Sequence, residues 1–223
     1  MTTLVIIAKE CLPGRVKTRL HPAVSFEQAA ELAAASLADT LAVGSEVRAD
    51  RRILAFDGLV PPPGSGDYEI VPQVGGELDA RLAAIFDAAE GPTLLLGMDT
   101  PQLGAGDIAG LFPWPDDTDF VFGPAHDGGF WCLGMREPRG DLIRGIPMSR
   151  DDTGARQLDR LRAVAGSIRM LTSLTDVDTI VEARAVADAA PETRFARTLA
   201  RTLRTQQLRT QQLSTTQLMG AGA

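Results

Sequence analysis

The residues best suited to chemistry open the chain. Lys9-Glu10-Cys11-Leu12-Pro13-Gly14-Arg15-Val16-Lys17 follows the apolar run Leu4-Val5-Ile6-Ile7-Ala8, which has the length and β-branched content of a buried strand. A strand that empties into a Gly/Pro loop carrying Lys9, Arg15, Lys17 and Arg19 brings cations and free backbone N–H groups to one sheet edge. That arrangement suits a polyphosphate. Of the 22 basic residues, only Lys9 and Lys17 are lysine. A compact ammonium on a flexible stem does a different job from a planar guanidinium fork. A surface turn with solvated charges is the competing reading. A Walker A loop is excluded, because it needs Gly directly before the Lys and another five residues earlier. Val16 and Cys11 stand there.

Carboxylates supply the second half of the chemistry. Asp99 follows Thr93-Leu94-Leu95-Leu96-Gly97 and precedes Thr100-Pro101. It can cap the turn or hold Mg²⁺, which takes one or two protein carboxylates and completes its shell with phosphate and water. Asp176 and Asp178 are spaced to face one ion, although Asp178 also reads as a helix N-cap. Asp127-Gly128-Gly129 is a hairpin turn by its own chemistry; equally, the double Gly admits a ligand, with Asp127 facing an acceptor or a second metal. Gln73, ahead of Gly75-Gly76, offers an amide for a base edge. His21 and His126 are assigned to structure or surface. No Cys/His or Ser/His pair suggests a covalent nucleophile.

The elements that must position these residues alternate. Ser25-Phe26-Glu27-Gln28 is a capping box opening an Ala-rich helix to about Val43. Strands are expected at 52–56, 69–72, 93–97, 120–122, 130–133 and 168–171, and helices at 77–89, 107–111, 153–164 and 176–189. Alternation of this kind predicts an α/β fold with a mostly parallel, doubly wound sheet. In such sheets ligands bind beyond the carboxyl ends of the strands, where every candidate residue falls. A single domain over 1–190 is expected. Residues 191–223 read as a low-complexity extension built on a five-residue Leu repeat, whose leucines drift around a helix and form no stripe. It serves as frayed helix, disorder or an oligomer contact.

All 29 acidic residues lie at or before Glu192, alongside 17 of the 22 basic ones. An acidic body argues against nucleic acid as the partner. No apolar run is long enough to span a bilayer, so no membrane partner is expected. Two cysteines, Cys11 and Cys132, give neither a disulfide framework nor metal spacing, and a cytoplasmic location follows as the default.

Five motifs occur in order: Ala8-Lys9 with Pro13-Gly14-Arg15-Val16-Lys17-Thr18-Arg19-Leu20; Gln73-x-Gly75-Gly76-x-Leu78-x-x-Arg81-Leu82; Leu96-Gly97-Met98-Asp99-Thr100-Pro101-Gln102-Leu103; Gly123-Pro124-Ala125-x-Asp127-Gly128-Gly129-Phe130; and Asp176-Val177-Asp178-Thr179. Together they resemble the GT-A-type nucleotide-diphospho-sugar transferase superfamily. Within it they are similar to the bacterial "transferase 1" group associated with radical-SAM and selenodomain clusters, and more distantly to 2-phospho-lactate guanylyltransferase. The resemblance implies a Rossmann-like three-layer α/β/α fold, a metal (Mg²⁺ or Mn²⁺) at Asp99, and phosphate contacts at Arg15, Lys17 and Arg19. Phe130 stands where Tyr is usual, and Met148-Ser149-Arg150 where a Trp-Ser-Thr-like element is expected.

The expected activity is nucleotidyl transfer from a nucleoside triphosphate to a small phosphorylated acceptor, releasing pyrophosphate. The expected catalytic set is Lys17, Arg15, Asp99 and Asp127. Nucleotide contacts are expected from Ala8, Lys9, Gly14, Arg15, Lys17, Arg19, Gln73, Gly75 and Gly76, acceptor contacts from Asp127, Gly128 and Gly129, and metal ligands from Asp99, Asp178 and Asp176. Sugar transfer from a nucleotide-diphospho-sugar is the alternative, and a nucleotide-binding module without turnover is a third.

Overall fold

The computed structural model describes residues 1–164 and 166–220, with side chains to Leu208. Seven strands form one sheet: β1 (Thr3–Lys9), β2 (Arg51–Asp57), β3 (Glu69–Pro72), β4 (Thr93–Leu96), β5 (Phe120–Pro124), β6 (Phe130–Met135) and β7 (Ile168–Met170). Their order is β3-β2-β1-β4-β6-β5-β7. All are parallel except β6, which runs antiparallel between β4 and β5. The helices are α1 (Phe26–Glu46), α2 (Leu78–Asp87), α3 (Ala105–Ile108), α4 (Thr153–Arg162), α5 (Ile180–Ala189) and α6 (Arg194–Gly220).

The central strands are apolar on both faces because helices cover both. Leu4 and Ile6 of β1, with Leu94 and Leu96 of β4, meet Ala33, Leu37 and Leu41 of α1 on one side. Val5 and Leu95 point the other way, to Leu82 and Phe86 of α2 and Leu161 of α4. The result is a three-layer α/β/α molecule. Helix α1 is Ala-rich because it is buried twice: its opposite flank (Ala29, Leu32) joins Val177, Ala183, Phe195 and Leu199 in a third core. Its start is the expected capping box, with Ser25 Oγ accepting from Gln28 N and Gln28 Oε1 accepting from Ser25 N.

Two boundaries read from the sequence shift. The division at residue 190 does not follow the packing. Phe195 and Leu199 are buried, and the Arg194 and Phe195 amides donate to the Asp39 carboxylate on α1. Gln206, in the first Leu repeat, donates to Ala23 O and Gln28 Oε1. The start of α6 is therefore part of the fold, and the side chains of the later repeats lie outside the described residues. Helix α5 is capped by Thr179, whose Oγ1 accepts from Glu182 N while Glu182 reaches back to Thr179 N. Because Thr179 takes the capping role, Asp178 is left to face the sheet edge.

Candidate functional site

At the carboxyl edge of β1 the chain makes a tight turn, Arg15 N donating to Leu12 O, and Gly14 has φ +73°. Lys17 also adopts a left-handed conformation, φ 46° and ψ 38°, just before a 3-10 turn at Thr18–Leu20. A non-glycine residue seldom stays there unless its surroundings hold it. Leu20 and Val16 are buried on either side, which fixes the backbone and turns the Lys17 side chain inward.

That side chain, only 8% exposed, ends between two carboxylates: Nζ lies 2.8 Å from Asp99 Oδ1 and 3.2 Å from Asp178 Oδ1. Arg19 Nη1 sits 3.0 Å from Asp178 Oδ2 on the outer side. Burial alone would pull the Lys17 ammonium down, but Asp99 and Asp178 together outweigh it and hold its pKa above the usual value.

Asp99 leaves the end of β4, and its turn is anchored by Ser36 Oγ of α1 donating to Met98 O at 2.7 Å. Asp176 and Asp178 ride on a strap, residues 171–178, that crosses the sheet edge after β7. It pairs with β5 through Leu171 N to Phe122 O and Leu174 N to Pro124 O, then reaches β4 through Val177 N to Asp99 O. This crossing unites side chains 161 residues apart in sequence. Asp176 is the strained member. Burial, then the charges of Asp99 and Asp127, opposed by Lys17, push its carboxyl up to about 7, and its Oδ1 is buried without a hydrogen-bond partner.

The other expected residues divide. Lys9 and Arg15 are exposed at the same edge, without ion pairs among the described residues. Gly14 and Gly75 border open space, whereas a Cβ on Gly76 would lie 3.4 Å from Ala80 Cβ. Ala8 lends only its carbonyl, to Gln73. Gln73 is engaged within the fold. Its Nε2 donates to Ala8 O (2.7 Å) and Ala55 O (2.9 Å), and its Oε1 accepts from Arg81. The amide stitches β1 to β2 and has no hydrogen left for a base edge. Gly128 packs against the chain itself. A Cβ on Gly128 would lie 1.9 Å from Asp151 O, and Gly128 O accepts from Gly154 N at 2.7 Å. The close approach at Gly128 is to the chain's own Asp151, ahead of α4, while a Cβ on Gly129 would meet the Asp127 carboxylate at 3.1 Å. Asp127 is exposed, accepts from Gly129 N, and lies near enough to raise Asp176. Cys11 also borders the site; burial, then Asp99, raises its thiol to about 11, so it stays protonated and is no nucleophile.

Among the described residues no three His, Cys, Asp or Glu side chains form a ready metal cage. The oxygen-only set nevertheless fits a hard divalent cation that takes one or two carboxylates and draws the rest of its shell from phosphate. Asp99 and Asp178 are 41% and 36% exposed, and beside them the buried Asp176 Oδ1 has no hydrogen-bond partner.

A seven-stranded, mostly parallel sheet covered by helices on both faces is a fold that this chain shares with solved structures. A Desulfovibrio desulfuricans G20 protein provisionally called a nucleotide-diphospho-sugar transferase superposes with TM-score 0.71 at 24% identity, over 80% of this chain and 82% of that one. Rv0371c of Mycobacterium tuberculosis H37Rv, in complex with manganese, gives TM-score 0.51 at 21% identity, over 84% and 97% of the two chains. The 2-C-methyl-D-erythritol 4-phosphate cytidylyltransferase of Thermus thermophilus gives 0.52 at 14% identity, over 86% and 100%. Residues 28–150 match the family model described as "Uncharacterized protein conserved in bacteria (DUF2064)", and the chain belongs to that family. No curated protein sequence matches the chain.

Proposed function

We propose that this protein is a divalent-metal-dependent, nucleotide-using transferase that moves a nucleotidyl group from a nucleoside triphosphate to a small phosphorylated acceptor. The observation that carries the reading is Lys17, nearly buried and bridging Asp99 and Asp178, beside the unpaired Lys9 and Arg15. Unpaired cations invite a polyphosphate. The bridge keeps the two carboxylates together before any ligand arrives, so the site is organised in advance.

Asp99 and Asp178 would hold the cation, Mg²⁺ or Mn²⁺, with Asp176 alongside. A bound divalent ion would neutralise phosphate oxygens and make phosphorus more open to attack. Arg15 and Lys9 bind the triphosphate tail at the mouth of the β1 loop. Lys17, on its four-carbon stem, follows the negative charge that develops as pyrophosphate leaves. Arg19 stays with Asp178 and steadies its orientation. Asp127, exposed across the cluster, faces the acceptor. No side chain forms a covalent intermediate, consistent with the protonated Cys11.

A second reading, sugar transfer from a nucleotide-diphospho-sugar, is favoured by the name carried by the Desulfovibrio protein. There Asp127 would take the proton of an acceptor hydroxyl. The two separate cleanly by product. Incubation with nucleoside triphosphates and phosphorylated acceptors in Mg²⁺ or Mn²⁺ should release pyrophosphate. Release of nucleoside diphosphate from a nucleotide sugar would favour the second reading, and binding without any product would reduce the protein to a nucleotide-binding module.

A further inference from the structure

Two carboxylates at the site, Asp99 and Asp127, each have a near neighbour in sequence whose side chain is tied to the residue directly before a third, Asp176. Gln102, three residues after Asp99, donates from Nε2 to Thr175 O at 2.8 Å. His126, directly before Asp127, is hydrogen-bonded through Nδ1 to Thr175 Oγ1 at 2.8 Å. Thr175 itself directly precedes Asp176. The turn after β4, the β5–β6 turn and the strap therefore meet at one threonine, which uses its carbonyl for one and its hydroxyl for the other. Backbone bonds brace the junction on both sides: His126 N donates to Leu174 O, and Val177 N to Asp99 O.

We infer that Thr175, clasped by Gln102 and His126, is the positioning residue that sets the spacing of Asp99, Asp127 and Asp176. The inference rests on the reading of this cluster as the cation and phosphate site. The physical reason is repulsion. Three like charges gathered at one sheet edge push apart, and among the described residues the Lys17 ammonium pairs with Asp99 and Asp178. Asp176 and Asp127 have no cation within ion-pair reach among the described residues, so the geometry on their side depends on neutral hydrogen bonds. Thr175 adds side-chain hydrogen bonds to the backbone bonds that join these segments. Losing its hydroxyl would free the strap beside Asp176 from the His126 ring, leaving the carbonyl held by Gln102 and the strand pairing of the sheet in place.

The test uses the full chain stripped with EDTA and titrated with Mn²⁺, with and without nucleoside triphosphate, following free Mn²⁺ by electron paramagnetic resonance. Thr175→Val removes the hydroxyl at nearly constant volume, and Thr175→Ser keeps it. Thr175→Val should weaken Mn²⁺ binding about tenfold or more, the usual effect of removing a group that orients metal ligands, while Thr175→Ser stays close to the parent. Gln102→Met, which removes the other clasp, should weaken Mn²⁺ binding in the same direction, and urea midpoints verify that each variant is folded. Mn²⁺ affinity of a folded Thr175→Val within twofold of the parent, or equal weakening in Thr175→Ser, would overturn the inference while leaving the metal reading intact. Absence of Mn²⁺ uptake by the parent chain, with or without nucleotide, would instead remove the metal reading, and this inference with it.

Discussion

Replacing Lys17 by methionine keeps the length and apolar stem of the side chain and deletes only the charge. The ammonium is 8% exposed and touches Asp99 at 2.8 Å and Asp178 at 3.2 Å. Breaking a fully buried pair costs about 3–5 kcal/mol. Both partners here are more than a third exposed, so water recovers much of that, and about 2 kcal/mol is the expected loss. For a chain of this size, that lowers Tm by roughly 4–8 °C. The effect should be flat between about pH 6 and 9. The Lys17 pKa is raised above 10.5, so its contribution is fully present below the unfolded value and is lost only as pH rises through the folded one. Adding Mn²⁺ should restore the variant, since a cation at about 100 times its dissociation constant contributes about 2.7 kcal/mol. The assay is thermal unfolding in EDTA and in MnCl₂ at pH 7.5, with Asp178→Asn as the second arm of a double-mutant cycle. An unchanged Tm in EDTA, or a smaller gain from Mn²⁺ in the variant than in the parent, would refute the reasoning.

Asp176→Asn should stabilise the ligand-free protein above pH 7. The parent carboxyl is raised from 3.8 to about 7, so its ionisation penalises the fold increasingly between those values and fully above them, with a ceiling of about 4 kcal/mol. Urea midpoints should show a much larger gain at pH 8 than at pH 4.5, and a pH-independent difference would contradict it. Gln73→Leu should cost about 2–3 kcal/mol in chemical unfolding, because the carbonyls of Ala8 and Ala55 lose their donor. It should leave the order of preference among nucleobases unchanged, and a switch in that order would restore Gln73 to base reading. Phe195→Ala should destabilise by about 3–5 kcal/mol in a urea melt, since the side chain is 1% exposed; a loss under about 1 kcal/mol would return α6 to the status of an appendage.

Much of the architecture was legible from local pattern. Apolar runs of strand length, the capping box at Ser25, and Gly/Pro loops after strands each follow from neighbouring residues, because they depend on backbone conformation and short-range hydrogen bonds. The same logic brought Lys9, Arg15, Lys17, Asp99, Asp127, Asp176 and Asp178 to one edge of the sheet, since residues that follow parallel strands share that edge by topology. Phe195, by contrast, sits in an Arg-rich stretch whose composition suggests a solvated tail. Only its contact with Leu20, Leu32 and Val177 makes it core.

Sequence alone determined which chemical groups were available and that they lay after strands: two ammoniums, a cationic turn and a set of aspartates. Tertiary structure decided who meets whom. It drew the strap across β5 and β4 so that Asp178 reaches Lys17, spent the Gln73 amide on two carbonyls, and filled the space beside Gly128 with Asp151. Those outcomes depend on distances between segments up to 161 residues apart. No local propensity encodes such distances; they emerge only when burial and backbone pairing fix every element at once.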